Sequence, residues 1–355
     1  MYDGGNSVYY DGTRLLSQLD INGNKPEIYI CTTNRTGGKT TYFNRYVVKK
    51  FLNTKEKFAL LYRYNYELDN VAEKFFEDIR TLFFEDYIMS SERRANGIYH
   101  ELFIQNKTEK MKWSCGYAIT LNSADQIKKN SHLFSSVERI LFDEFQSETN
   151  HYCADEVRKF ISVHTSIARG GGKQVRYVPV YMIGNPVSLI NPYYIELGIS
   201  ERLRNDCKFL KGEGFVLEQG YIDSASQAQK SSGFNKAFSH NVYTQYSADN
   251  LYLNDNQAFI EQLIGKSIYL CTVRYQNKDY AIREYPQDGL IYCDDRPDTS
   301  FKNKIAITTD DHNINYVMLK NNDYLISQLR FFFDKGCFRF KNLKCKEVVL
   351  KMLSY

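Results

Sequence analysis

The apolar positions in the first half of the chain fall into short runs bounded by Gly, Asn and charged residues, with stretches of helical spacing between them. EIYIC, Glu27 to Cys31, is β-branched and aromatic, has the length of a buried strand and leads straight into a Gly-rich loop. Beyond that loop Tyr42, Tyr46, Val47 and Phe51 recur near helical spacing. FALLYRYNYELDN, residues 58–70, reads as a buried strand ending at Arg63, and VERILFDEF, residues 137–145, as another that ends in adjacent carboxylates. Val157, Phe160, Ile161, His164 and Ile167 line one face of a helix that Gly170 to Gly172 stop, with His164 as a packed core histidine. YVPVYMIGNPVS, residues 177–188, returns as a further strand. Such alternation predicts an α/β domain with a parallel central sheet, whose strand ends converge on one crevice.

Composition narrows the field without deciding it. A chain of 355 residues with 43% hydrophobic content is long enough for two domains. Its net charge of +4 is mild, so any basic surface must come from local arrangement. The eight cysteines show no C-x-x-C pair and no charged-then-apolar leader opens the sequence, which points to reduced thiols and argues against a zinc site. No apolar run approaches the roughly 18 residues of a membrane span.

The loop after the first strand carries the chemistry. Thr33-Asn34-Arg35-Thr36-Gly37-Gly38-Lys39-Thr40 follows the phosphate-loop pattern G-x-x-x-x-G-K-[ST] except that Thr33 stands at the first glycine. Gly37 and Gly38 let the backbone turn its N–H groups inward, Lys39 suits β- and γ-phosphates, and the Thr40 hydroxyl suits magnesium. About a hundred residues on, Asp143 is placed to contact magnesium and Glu144 to polarise an attacking water. Asn185, in Gly184-Asn185-Pro186, either stands beside the γ-phosphate or starts a turn. Arg169, at the end of the 157–167 helix, can reach a neighbouring subunit's nucleotide as an arginine finger or complement the helix dipole, with Arg158 and Arg176 as rivals. Arg63 either faces the phosphates or the substrate, or pairs with Glu67.

In this order the segments NRTGGKT, LLYRYNYEL, ILFDEF, the helix ending in Arg169, NPVSLINPYY, GLIYCDD and ITTDDHNINYVML resemble the DNA-packaging (encapsidation) ATPases of small phages of the phi29 group, over nearly the whole chain. Those are terminase-like P-loop motors of the additional-strand, catalytic-glutamate (ASCE) class. Departures are Thr33 and Thr36 for loop glycines, Gly184-Asn185 for a Ser-Asn pair, and a Gly-rich insertion after Arg169. The resemblance implies a homopentameric ring, in the host cytoplasm and transiently at the portal of a procapsid, that hydrolyses ATP with Mg2+ to drive double-stranded DNA inward. A packaging RNA bridges ring and portal in some members. It further implies Lys39 and Thr40 on phosphates and magnesium, Asp143 on magnesium, Glu144 as base, Asn185 as coupling element and Arg169 as trans finger.

Three domains are expected: an ATPase domain over 1–204, a lid or linker over 205–250 with Lys230 and Lys236 as nucleic-acid or subunit contacts, and a C-terminal domain over 251–355. In the last, KSIYLCTVRYQNKDYAIREY and GLIYCDD alternate like strands, with QNKD and PQDG as turns. Terminases carry a ribonuclease-H-like nuclease here, which needs carboxylates on strands for metal ions. YLCTV has no Asp, and Asp294, Asp295, Asp310 and Asp311 read as turn residues, so a vestigial, small α+β nuclease-like domain that binds nucleic acid is expected. From Lys320 to Tyr355 eight basic residues face three acidic ones, and Lys341 and Lys344 within that stretch are candidate phosphate-backbone contacts. An active nuclease, a helicase-like translocase and a non-hydrolysing nucleotide switch are the alternatives.

Overall fold

The computed structural model describes residues 9–353 except 110, 150, 171–173, 190, 201, 204–206, 242, 245–246 and 248–258, with the backbone alone at 320. Two compact units divide the chain, 1–255 and 256–355. In the first, the described strands are β1 (Ile28–Thr32), β2 (Lys57–Tyr62), β3 (Tyr87–Arg94), β4 (Tyr99–Asn106), β5 (Lys112–Thr120), β6 (Val137–Asp143), β7 (Val180–Gly184), β8 (Phe209–Gly212) and β9 (Phe215–Gln219). Its helices are α1 (Thr13–Leu16), α2 (Lys39–Thr54), α3 (Val71–Phe83), α4 (Ala124–Lys129), α5 (Glu156–Ala168), α6 (Pro192–Glu196), α7 (Asp223–Ser231) and α8 (Gly233–Ala237).

The nine strands form one sheet in the order β3-β4-β5-β2-β6-β7-β1-β9-β8. The six from β5 to β9 run parallel, and the antiparallel pairs lie at the two margins. Successive residues of the inner strands bury themselves on opposite faces, as a strand period of two requires. Ile30, Leu61, Phe142 and Met182 meet the helix residues Phe160, Val163 and Ile167. Cys31, Leu60, Leu141 and Tyr181 meet Phe43, Val47, Phe75 and Ile79 from α2 and α3. Each such buried side chain contributes about 1.5–3 kcal/mol, and together they clamp β1 and β6 on either side of β7, so that the loops at the carboxyl ends of all three strands open on one edge of the sheet.

Two parts of this sheet depart from expectation. Residues 209–219 lie within the segment read as lid or linker, yet β8 and β9 are sheet strands, with Glu218 of β9 beside Cys31 of β1. A tight turn at Gly214 (φ 74°) closes this hairpin. The lid-like helices α7 and α8 begin only afterwards, and much of 242–258 lies outside the described residues. The β3–β4–β5 meander was not anticipated, although Tyr99, Leu102 and Ile104 of β4 bury themselves at near-alternate positions. His164 is half-buried on α5, its Nε2 2.9 Å from the carbonyl of Val178, just before β7, and 3.5 Å from Glu27.

In the second unit β10 (Ile268–Tyr275), β11 (Lys278–Tyr285) and β12 (Leu290–Asp294) make an antiparallel meander. β13 (Lys304–Ala306) and β14 (Val317–Met318) extend it in parallel on one side, and β15 (Phe338–Phe340) on the other. The helices α9 (Asp323–Asp334) and α10 (Leu343–Leu353) pack on it through Ile326, Leu329, Val348 and Met352, an α+β arrangement.

Two of the four aspartates weighed above are engaged in the fold. Asp294 is the last residue of β12 rather than a turn residue, is 7% exposed, and accepts from Arg283 Nε at 2.8 Å. Asp311 takes the N–H groups of Gln276 and Asn277 at 3.1 and 2.8 Å, holding a two-residue turn in which both have positive φ (51° and 60°).

Candidate active site

Gly38 ends the loop in a left-handed conformation (φ 87°), and α2 begins at Lys39, so its first N–H groups face the strand ends. The missing first glycine is accommodated by burial. Thr33 is fully buried, its N–H reaches the Gly184 carbonyl at 3.4 Å and its hydroxyl donates to the Asn34 carbonyl at 3.0 Å. Thr36, at another expected glycine, adopts φ 60°.

The loop is also tied from outside. Asn34 exchanges two hydrogen bonds with the main chain of Ile222, at 3.0 and 3.1 Å. Gln229 of α7 donates to the Arg35 carbonyl and the Thr36 hydroxyl, both at 2.9 Å. Arg35 pairs with Glu148 and lies over the Tyr243 ring. From the opposite side the Tyr10 N–H donates to the Gly37 carbonyl at 2.7 Å.

Arg35, Thr36, Lys39, Thr40, Asp143, Glu144, Gly184 and Asn185 line one cleft of about 220 Å³. Lys39 is 8% exposed, and its Nζ donates to Asn185 Oδ1 at 2.6 Å. Burial draws the ammonium below its usual range, while the Asp143 carboxylate pulls it back. Burial pushes the Asp143 carboxyl up to about 6, against the attraction of Lys39 and a hydrogen bond from Thr40. A half-buried carboxyl raised in this way, next to a hydroxyl and a cation, is suited to a magnesium ion, which would keep it ionised. Thr40 and Asp143 are the residues here that would hold it.

Glu144 is exposed and sits in the left-handed region (φ 53°), a strained setting for a residue with a side chain. Both flanking peptides are fixed: its N–H donates to Asp143 Oδ1 at 2.8 Å and its carbonyl accepts from Arg63 Nη1 at 3.1 Å. Arg63 also donates to the Phe145 carbonyl at 2.6 Å and pairs with the buried Glu156 at 2.9 Å. Among the described residues Glu67 accepts the main-chain N–H groups of Arg63 and Tyr64, while the Arg63 guanidinium is spent on Glu156 and the carbonyls of Glu144 and Phe145 rather than on Glu67. Gln146 holds the chain after Asn185, accepting from Val187 and Ser188 at 3.0 and 2.9 Å. Sequence reasoning did not single out Glu156, Gln146, Asn34's partner Ile222 or Gln229. The only available signal was the polar Gln directly after the DEF segment.

Of the three arginines weighed as fingers, Arg176 is engaged inside the subunit, donating to Glu138 and to the carbonyls of Val137 and Ile167. Arg158 is exposed and pairs with Asp155. Arg169 is exposed just beyond α5 and makes no ion pair with a described residue.

The model of the podovirus DNA encapsidation protein (Gp16) family matches residues 5–354. This chain belongs to that family. Among curated encapsidation relatives, the DNA packaging protein of Bacillus phage phi29 is 26% identical over 351 residues, covering 98% of this chain and 97% of the relative. That of Bacillus phage PZA is 25% identical with the same coverage. In fold it matches the bacteriophage Phi-29 viral genome packaging motor assembly with a TM-score of 0.63, at 23% identity over 98% of this chain and all of the other. It matches the Phi-28 gp11 DNA packaging motor with the same TM-score, at 16% identity and 98% coverage of each chain. The α/β reading of the fold with a parallel central sheet stands with these matches.

For an encapsidation protein the basic residues matter next, and the structure separates the four singled out. Lys230 and Lys236 are exposed on α7 and α8, the first of which touches the phosphate loop through Gln229. Lys341 pairs with Asp295, and Lys344 with Glu347 at 3.0 Å, so both of these lysines carry carboxylate partners. Among the described residues, no helix is long and apolar enough to cross a membrane.

Proposed function

We propose that this encapsidation protein is the ATP-hydrolysing subunit of a ring motor that drives double-stranded viral DNA into a procapsid. The observation that carries it is the convergence of Lys39, Thr40, Asp143, Glu144 and Asn185 on one cleft. ATP phosphates lie on the N–H groups of the 33–40 loop, with the Lys39 ammonium on the β- and γ-phosphates. Mg2+ on Thr40 and Asp143 supplies charge neutralisation at the phosphates. Glu144, which lines the cleft with its main chain fixed on both sides, takes the proton of the attacking water. Asn185 holds Lys39 until a γ-phosphate competes for it, which makes it the coupling element.

Arg169, exposed and without a described carboxylate partner, is the finger offered to the neighbouring subunit. The partners are a procapsid portal or connector, other copies of this chain in a ring, a pentamer by family resemblance, and a packaging RNA where the phage has one. The site of action is the host cytoplasm, at the portal vertex during packaging. Functionally the chain divides into an ATPase whose sheet runs through β9, lid-like helices α7 and α8 that follow it, and a nucleic-acid-binding domain over 251–355 that descends from a nuclease. Asp294 and Asp311 are committed to Arg283 and to a turn, which favours binding over cleavage there.

The test is ATP hydrolysis with and without double-stranded DNA, in rings assembled on procapsids. DNA-stimulated turnover that drops at least about 100-fold in Glu144→Gln is expected. Turnover unchanged by that substitution overturns the assignment, and binding without any turnover in the wild type favours a nucleotide switch.

A further inference from the structure

Helix α5 is pinned to strand β6 at both ends. At its first residue, Glu156 accepts from Arg63 Nε at 2.9 and 3.0 Å, from the Cys153 N–H at 2.7 Å and from the Tyr193 hydroxyl at 2.8 Å. The same guanidinium holds the carbonyls of Glu144 and Phe145, just past the end of β6. At the other end Arg176 donates to the Ile167 carbonyl in the last turn of α5 at 2.7 Å. It also donates to Val137 and Glu138, at the start of β6, at 3.1 and 2.8 Å. Strand and helix form a closed frame, with Glu144 at one corner and Arg169 at the opposite one.

The frame is stiff. The sequence of α5, EVRKFISVHTSIA, contains no Gly or Pro, and 13 residues span about 20 Å as one rod. The Arg63–Glu156 pair is buried, with side-chain exposures of 8% and 1%. A buried ion pair persists only if its remaining hydrogen-bonding capacity is met, as the contacts of Glu156 with Cys153 and Tyr193 do here, and it resists being pulled apart. A shift of the strained Glu144 peptide must therefore move Arg63 and Glu156 with it, and Glu156 is the start of the rod that ends at Arg169.

We propose that Glu156 is a positioning residue: through Arg63 and α5 it makes the pose of Glu144 in one subunit and the presentation of Arg169 to its neighbour a single setting. This rests on the reading of Arg169 as a finger acting between subunits. A site completing its own catalytic acid would then advance the finger it lends next door, giving neighbouring sites an order of firing.

The test uses mixed rings on procapsids with DNA. Arg169→Ala subunits keep an intact site but lend no finger; Glu144→Gln subunits have a dead site but an intact finger. Mixing the two restores hydrolysis if the finger acts between subunits. The donor is then changed to Glu144→Gln/Glu156→Gln, whose own site was already dead, so any loss reports on the finger it lends. The restored rate is expected to fall about fivefold or more, while ATP binding by the donor is unchanged. Full restoration by this donor overturns the proposal. If the double variant fails to fold, the donor Glu144→Gln/Arg63→Lys takes its place. It leaves Glu156 a cation but removes the fork that holds Glu144 and Phe145, so the same deficit is expected and full restoration again overturns the proposal. Failure of the simple Glu144→Gln donor to restore anything instead refutes Arg169 as the finger between subunits, and the coupling with it.

Discussion

Lys39 and Asn185 are joined by a 2.6 Å hydrogen bond in the cleft, so the lysine meant for phosphates is already held by the residue that follows β7. On the proposed reading, a γ-phosphate would have to take Lys39 from the Asn185 amide oxygen, and that exchange would sense the nucleotide.

Asn185→Asp places a second carboxylate on Lys39 and faces the phosphates with like charge. ATP affinity is expected to weaken by about tenfold or more, equivalent to roughly 1.4 kcal/mol. Asn185→Ala is expected to spare ATP affinity and lower turnover. Titration with a fluorescent ATP analogue and steady-state hydrolysis separate the two outcomes, and equal affinity in Asn185→Asp would remove the competition argument.

Asp143 carries a pKa raised to about 6, whereas binding of magnesium and ATP requires the carboxylate. Binding at pH 6 should therefore release about half a proton, and almost none at pH 8. Because the free protein is half-protonated at pH 6 and more so below it, affinity rises with pH through the raised pKa and levels off by about pH 7 to 8. Calorimetry in two buffers of different ionisation heat measures the proton count. Asp143→Asn should abolish the release.

Asn34 is fully buried and its amide has both bonds to Ile222. Asn34→Ala leaves the N–H and carbonyl of Ile222 without those partners, and the melting temperature of the ATPase unit is expected to drop by roughly 3 to 8 °C. Asn34→Asp keeps the acceptor for the Ile222 N–H but sets a buried carboxylate oxygen against the Ile222 carbonyl, and should cost at least as much. A melting curve in which both match wild type would mean the 220–230 segment is not anchored through this residue.

Asp311 stabilises a turn whose two central residues have positive φ without being glycine. Asp311→Ala should destabilise the second unit by about 1–3 kcal/mol. Asn277→Gly added to it should recover about 0.5–1 kcal/mol, since glycine adopts that conformation freely. Denaturant unfolding of the full chain, followed by the second transition, reads both changes.

The inner strands and the cleft were legible because burial on both faces writes a continuous apolar run, and because phosphate chemistry demands Gly, Lys and acid residues at set places. The 28–32, 57–62, 137–143 and 180–184 strands and the α2 and α5 helices follow from that logic. Arg63 was visible as a residue but not in its role, since its partners Glu156 and the Glu144 carbonyl lie 93 and 81 residues away. β9 was hidden for a different reason. FVLEQ is only five residues long and places Glu218 inward, where the Tyr10 hydroxyl satisfies it at 2.8 Å. A buried carboxylate met by a distant tyrosine reads, in sequence, as the end of a strand. Lys341 and Lys344 show the converse: a basic cluster in sequence whose charges are met by Asp295 and Glu347 once folded.

The place of β1 between β7 and β9 also orders events during synthesis. The phosphate-loop strand leaves the ribosome early, but its two neighbours end at Gly184 and Gln219. At translation rates of about 5–20 residues per second, the loop waits some 10 to 40 s for the strands that flank it. A nascent or truncated chain ending before β9 therefore leaves one edge of β1, the strand that carries the Gly-rich loop, without its partner.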